Sequence, residues 1–223
     1  MTALHVMDMD GTLLHGTTAS IRLSRALACE HEVLALEEAF AAGRVTTREF
    51  AARLHQLWAE LTEQIVAETF AAGPWLDGIA DVVADIHSRG EHAAVITMSP
   101  GFYADHLCEL GFDYVAGSRF PPLPMRQPLD LAGILAPHDK VPITRRLLAQ
   151  YRVPSGRWVA YGDSLSDQQL FAQAPISVAV NAIPALAASA TCAYTGASLI
   201  DAYMLARDHL DRPNPRTLDP SRR

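Results

Sequence analysis

Short apolar runs alternate with segments of helical periodicity along most of this chain. Leu4 to Asp8, His92 to Thr97, Asp113 to Ala116, Trp158 to Tyr161 and Ile176 to Val180 predict buried strands. Between them, Asp77 to Arg89, Phe102 to Leu110, Lys140 to Tyr151 and Leu165 to Ala174 predict amphipathic helices. The first three of these close near Gly90, Gly111 and the Val153-Pro154 break. Strands that alternate with helices in this way predict an α/β fold, a doubly wound parallel sheet with crossover helices.

The rhythm is interrupted from His15 to Gly73, where only helical segments are read, at about Ala19 to Glu30, Leu34 to Ala42, Thr46 to Leu61 and Thr62 to Ala71. The expected organisation is therefore a core domain of residues 1–14 and 74–211 with a helical cap of residues 15–73. The cap is inserted just after the first strand and folds back over that strand's carboxyl end. Trp58 and Trp75 are read as packing residues of the cap. Arg119 to Pro137, rich in proline, predicts a short hairpin or an irregular loop. Residues 212–223, polar and with three prolines, predict a disordered tail.

Composition narrows the class of partner. An apolar content of 49% in 223 residues is ample for a buried core, and a formal net charge of −7 argues against nucleic acid, leaving a small molecule. No apolar run approaches the roughly 18 residues of a membrane helix, and no leader segment is read, so a soluble cytoplasmic protein without a membrane partner is expected. Oligomeric state, monomer or homodimer, is left open. Cys29, Cys108 and Cys192 are widely spaced and read as small buried hydrophobes. Of the 18 basic residues other than histidine, only Lys140 is lysine. That is either compositional drift towards arginine or the mark of a site that needs a compact ammonium.

Candidate chemistry begins at Asp8-Met9-Asp10-Gly11-Thr12, directly after the first strand. Side chains two apart on a strand share a face, so Asp8 and Asp10 project together where open α/β sheets bind ligands. Two carboxylates so placed call for a cation between them or a shared proton, which points to metal-assisted chemistry with a nucleophile and an acid/base. A calcium loop would need further oxygen ligands, whereas Leu13-Leu14-His15 follows. Three other strand or helix ends carry polar groups. The hydroxyl of Ser99 and the amides after Met98-Ser99-Pro100-Gly101 could hold phosphate oxygens. Asp163 and Asp167, four apart in Gly162-Asp163-Ser164-Leu165-Ser166-Asp167, could complete a magnesium site. Lys140 opens a helix from which it could neutralise phosphate charge. His5 falls on the opposite pleat and reads as a sheet-face residue.

With these motifs in order, the chain resembles the haloacid dehalogenase-like hydrolase superfamily, in the branch related to phosphoserine phosphatase, over about residues 4 to 190. The branch is suggested by Ser99-Pro100-Gly101-Phe102 with Ala104-Asp105-His106-Leu107, by Gly117-Ser118-Arg119 and by Val180-Asn181-Ala182-Ile183-Pro184. The resemblance implies a Rossmann-like core with a C1-type cap and a magnesium-dependent phosphatase acting on a small phosphorylated metabolite. It implies that Asp8 is the nucleophile that becomes an aspartyl-phosphate and that Asp10 is the acid and then the base. Ser99 and Lys140 would bind the phosphoryl group, with Gly11, Thr12, Pro100, Gly101 and Asn181 also in the phosphate- or substrate-binding set. Magnesium would be held by Asp8, the backbone carbonyl of Asp10 and Asp163, with Asp167 supporting its water shell or Lys140. A phosphotransferase or phosphomutase using the same nucleophile, and a non-catalytic ligand-binding protein, are the alternatives.

Departures bear on the substrate. Gly11 and Thr17 stand where phosphoserine phosphatases resemble Asp-Ser-Thr and carry an amine-binding glutamate, and the expected cap arginine falls at Ala52, one place from Arg53. His15, Thr17, Thr18, Arg22, Arg44, Arg48, Arg53 and His55 are the candidate specificity contacts of the cap.

Overall fold

A computed structural model describes residues 2–212. Six strands, β1 (Leu4–Met7), β2 (His92–Pro100), β3 (Tyr114–Ser118), β4 (Trp158–Gly162), β5 (Ile176–Val180) and β6 (Cys192–Tyr194), form one sheet in the order β3-β2-β1-β4-β5-β6. Every pairing is parallel. The chain leaves β1 towards β2 on one side and returns to β4 on the other. The crevice between the carboxyl ends of β1 and β4 is thus the point where connections diverge and where ligands bind in such sheets. Asp8 and Asp163 are the first residues beyond those two strand ends.

Helices α1 (Ala19–Ala26), α2 (Glu30–Ala41), α3 (Thr47–Leu57) and α4 (Glu63–Ala71) stand between β1 and the core helix α5 (Ile79–Ser88). Threonine side chains at 18, 46 and 62 cap α1, α3 and α4 by accepting from the amides of Ile21, Glu49 and Ile65. The expected helix from Ala19 to Glu30 is broken, because Ala28 has φ 56° and the chain restarts as α2. Entry to and exit from the insert run side by side. His15 donates to the Pro74 carbonyl and Leu76 to that of Leu13, each at 2.9 Å. Trp58 is fully buried, its Nε1 donating to Ser24 Oγ at 2.8 Å and its ring near Phe102 and Phe120. It packs the insert against the core, as read.

The remaining helices are α6 (Gly101–Ala104), α7 (Lys140–Gln150), α8 (Gln168–Phe171), α9 (Pro184–Ala187) and α10 (Leu199–Leu210). The predicted helices over 102–110 and 165–174 are each a short α-helix joined to a 3-10 turn, at Asp105–Leu110 and Leu165–Asp167. Residues 119–137 form an irregular loop with a single 3-10 turn at Leu131–Gly133, not a hairpin. β6 and α10 lie beyond the elements expected from the pattern. Among the described residues, no helix is long and apolar enough to cross a membrane. Apart from Arg212, the tail expected at 212–223 lies outside the described residues.

The sheet's two faces bury separate apolar clusters, and the larger one runs on into the insert through Leu23, Val33, Leu54, Trp58, Leu61 and Val66. At the end of the sheet away from Asp8 sits a buried polar network. His5 Nδ1 meets the Tyr161 hydroxyl at 2.9 Å and Nε2 meets Glu91 at 3.2 Å, while Arg207 Nη1 donates to Glu91 at 2.5 Å. Burial lowers the His5 pKa, and with the ring neutral the Glu91 contact assigns its proton to Nε2. Burial opposes the charge on Glu91, yet His5 and Arg207 together hold its carboxyl below the ordinary range.

Glu91→Ala takes the acceptor from Arg207 Nη1 and His5 Nε2, both buried, while Arg207 keeps Nε and Nη2 on Asp211, a change that costs about 1–3 kcal/mol. Denaturant unfolding should show a loss of that size. A loss below about 0.5 kcal/mol would mean that water replaces Glu91 at both donors and that Asp211 alone suffices for Arg207.

Candidate active site

Three loops converge at the carboxyl ends of β1 and β4. Lys140, the first residue of α7, is 1% exposed and reaches from beneath to place Nζ 2.9 Å from Asp8 Oδ1 and 2.6 Å from Asp167 Oδ1. Asp167 is wholly buried, and its second oxygen accepts from the Asp163 amide at 3.2 Å, shaping the loop after β4. Two glycines make the approach possible. A Cβ on Gly162 would lie 2.4 Å from Asp167 Cγ, and one on Gly11, which has φ +72°, would lie 2.1 Å from Asp163 Oδ2. The small residue in each motif is therefore a condition for bringing the carboxylates together.

Asp8, Asp163 and Asp167 each offer an oxygen within 4.8 Å of the others. Three carboxylates against the one Lys140 ammonium leave a formal charge of −2, the complement of one divalent cation. Burial pushes the Asp8 carboxyl well up, with Lys140 opposing and Asp167, Asp163 and Asp10 adding to the rise. Burial also pushes Asp163 up to about 7, with the Asp167 charge next in weight. Lys140 behaves oppositely: although burial disfavours its charge, Asp167 and Asp8 raise its pKa above the ordinary lysine value. An all-oxygen, net-negative set of this kind suits a hard cation such as Mg²⁺.

Asp10 faces away from this cluster and towards the insert. Its Oδ1 accepts from the Ala19 amide at the start of α1, at 2.7 Å, and its Oδ2 accepts from Ser99 Oγ at 2.5 Å and from Thr97 Oγ1 at 3.5 Å. Burial raises its pKa against these hydrogen bonds.

A cavity of about 960 Å³ opens over these residues, between the sheet end and the insert. Asp8, Asp10, Gly11, Ser99, Pro100, Asp163 and Asn181 line it. Lys140 and Asp167 lie behind its wall, acting through Asp8 and Asp163. Thr12 is buried with Oγ1 unpaired and is not part of the lining, and neither is Gly101. At Gly117 a Cβ would stand 2.7 Å from Gly101 Cα, so this pair of glycines lets α6 approach β3. Asn181 spends its amide on the backbone of Gly196 and on His15 Nδ1, which makes it a loop clasp at the rim.

Of the candidate specificity contacts, His15, Thr17 and Thr18 line the cavity. Arg22 is tied to the carbonyls of Thr69 and Ala72, Arg53 to Gln56, and His55 to the Gln127 carbonyl; Arg44 and Arg48 do not line the cavity. The lining also holds residues that were not foreseen, Glu37 and Phe40 of α2, Phe50 of α3, and Phe120. A signal for Glu37 was available: Val33, Leu36, Glu37 and Phe40 fall at i, i+3, i+4 and i+7, so an acid occupies the inward stripe of its helix.

The family model described as haloacid dehalogenase-like hydrolase matches residues 6–172. Phosphoserine phosphatase of Vibrio cholerae serotype O1 is 27% identical over 139 residues, which are 61% of this chain and 42% of that one, so the chain spans less than half the length of this relative. Among solved structures, a substrate-bound phosphoserine phosphatase complex superimposes with a TM-score of 0.78 at 19% identity, over 92% of this chain and 98% of that one. A phospho-aspartyl intermediate analogue of phosphoserine phosphatase gives 0.77 at 20% identity with the same coverage. An unliganded probable phosphoserine phosphatase from Vibrio cholerae gives 0.74 at 23%, over 94% of this chain and 67% of that one. These structures share the fold of this chain.

The raised Asp163 pKa has a thermodynamic consequence. The folded, cation-free protein keeps a proton there that the unfolded chain gives up near the ordinary 3.8, so the contribution to stability is full below that value and lost as pH rises to about 7. Without divalent cation, the melting temperature of wild type relative to Asp163→Asn should therefore fall from about pH 4 to about pH 7 and level off above, and added Mg²⁺ should restore it most at the upper end. A difference that does not vary with pH would remove Asp163 from the charge cluster.

Proposed function

The chain belongs to the haloacid dehalogenase-like hydrolase family, and from that premise we propose that it is a Mg²⁺-dependent phosphatase of small phosphomonoesters that works through an aspartyl-phosphate. The observation that carries the proposal is the division of labour between two acids two residues apart. Asp8 is paired with a buried ammonium, whereas Asp10 is held by neutral donors.

Lys140 holds Asp8 Oδ1, which leaves Oδ2 for in-line attack on phosphorus. As the Asp8 O–P bond forms, the ester P–O bond breaks and Asp10 delivers its proton to the departing alkoxide. Burial keeps that proton on Asp10 at higher pH than an exposed aspartate would. Water then attacks the aspartyl-phosphate, Asp10 takes one of its protons, and the P–O bond to Asp8 breaks to release inorganic phosphate. Both side chains return to their starting states. Ser99 positions Asp10, and with Lys140 it supplies the polar surroundings of the phosphoryl group.

Asp8, Asp163 and the backbone carbonyl of Asp10 would hold the cation, and Asp167, whose oxygens are bonded to Lys140 and the Asp163 amide, would act as its support. When bound, Mg²⁺ neutralises the carboxylates and withdraws charge from the phosphoryl oxygens. Residues 15–73 act as a cap that covers the cavity and sets the size of substrate admitted, an arrangement that favours small esters over protein-sized ones. The thiols of Cys29, Cys108 and Cys192 are free, with Cys29 and Cys192 half-buried and Cys108 exposed, not the buried hydrophobes expected.

Inorganic phosphate release from a panel of phosphomonoesters tests the reading. Release should require Mg²⁺ and stop with a chelator. Asp8→Asn should abolish it while the fold is kept, and Asp10→Asn should lower it by about 10²–10⁴-fold. Full activity in Asp8→Asn would discard the nucleophile. Lys140→Arg should be severely impaired although charge is conserved, because a planar guanidinium does not fit the space between Asp8 and Asp167. Near-normal turnover there would make the single lysine an accident of composition.

A further inference from the structure

We propose that the substrate is the phosphate ester of a cationic amino alcohol with an apolar body and no carboxylate, and that Glu37 of α2 receives its ammonium. The inference rests on the phosphatase reading above and names its substrate class.

The wall of the cavity opposite the aspartates carries the argument. Glu37 Oε1 accepts from Thr18 Oγ1 at 2.9 Å, and the next residue, Ala19, donates its amide to Asp10 at 2.7 Å. The start of α1 therefore sets the Glu37 carboxylate beside the acid that serves the ester oxygen. A group meeting Glu37 lies a short carbon spacer from that oxygen. Glu37 is half-buried and has no ion-pair partner among the described residues, so its charge is best met by a cation from the substrate. Burial pushes its carboxyl up to about 7 despite the Thr18 bond, with the Asp10 charge contributing, which is the condition of a carboxylate awaiting a counter-charge.

Glu38 and Thr47 aside, the rest of that wall is apolar. Phe40, Phe50, Leu54 and Phe120 line it, with the rings of Phe40 and Phe50 5.7 Å apart and edge to face. Aromatic faces accept alkyl groups and ammonium ions but repel carboxylates. No lysine or arginine lines the cavity among the described residues, and two arginines of the insert, Arg22 and Arg53, are bonded elsewhere. A carboxylate on the leaving alcohol would thus lose water against an aromatic wall and find no lysine or arginine in exchange, which is costly. The cavity selects for positive charge by what it contains and against negative charge by what it lacks.

Four esters separate these contributions: O-phosphoserine, phosphoethanolamine, 2-amino-3-phenylpropyl phosphate and its amine-free counterpart 3-phenylpropyl phosphate. Steady-state phosphate release with Mg²⁺ should give 2-amino-3-phenylpropyl phosphate a kcat/KM at least about tenfold above 3-phenylpropyl phosphate, the scale of a charge-assisted hydrogen bond. Phosphoethanolamine should exceed O-phosphoserine. In Glu37→Gln the ratio between the two phenylpropyl esters should fall by about tenfold. Equal rates for that pair in wild type, O-phosphoserine ahead of phosphoethanolamine, or an unchanged ratio in a folded Glu37→Gln would each overturn the inference. The wild-type ratios decide even where the variant does not fold. Release from 3-phenylpropyl phosphate without preference for the amine discards the substrate class alone. Silence with all four esters discards the phosphatase reading and this inference with it.

Discussion

An ammonium buried to 1% exposure is tolerable only where carboxylates surround it, and the Lys140 side chain meets that requirement with Asp8 and Asp167. The dependence runs both ways. Asp8 at the end of β1 and Asp167 beyond β4 would repel each other without Nζ between them, and the loop carrying Asp163 takes its shape from the oxygen that Asp167 has left over. Three stretches of chain that are distant in sequence are therefore registered against one atom. The glycines at 11 and 162 serve the same convergence from the other side, since a single methyl group at either would occupy space held by a carboxylate. What results is a centre with a formal excess of two negative charges facing a cavity, the complement of one divalent cation.

Most of the sheet was legible because the inner strands are nearly continuous apolar runs, broken only by single polar residues such as His5 and Ser177, as a parallel sheet covered on both faces requires. β6 was not. Three residues with partly exposed positions carry too little pattern to be distinguished from a loop. α10 follows the last run of expected elements and announces itself only by its Ser198 cap and by a buried stripe that includes Arg207, a residue whose charge masks the apolar period. The break at Ala28 is likewise a tertiary matter, since nothing short of the packing of α1 on α2 requires a non-glycine residue with positive φ there.

The site separates along the same line. Asp8, Asp10, Ser99, Lys140, Asp163 and Asp167 sit at strand ends or helix starts, positions that topology alone determines once the sheet is known. The opposite wall is built by faces of α2 and α3, whose rotation about their own axes depends on how four helices settle on the core. Thr17 and Thr18 follow the first motif closely enough to be found from it. Glu37 lies far along the chain from every motif, marked only by being an acid on an apolar stripe, and Arg22, which charge alone recommends, turns out to serve the insert's own backbone.

The insert leaves and rejoins the core through two neighbouring backbone hydrogen bonds, at Leu13 to His15 and Pro74 to Leu76. Its bond to Asp10 comes from the amide of Ala19, a group that every residue but proline supplies. The side chains of this segment that face the cavity, unlike those it buries in the core, can therefore change with little consequence for the aspartates. On the proposed function, chemistry and molecular taste are stored in separate lengths of the chain, one held still by buried charge and the other tied to it by backbone bonds at the cavity's edge.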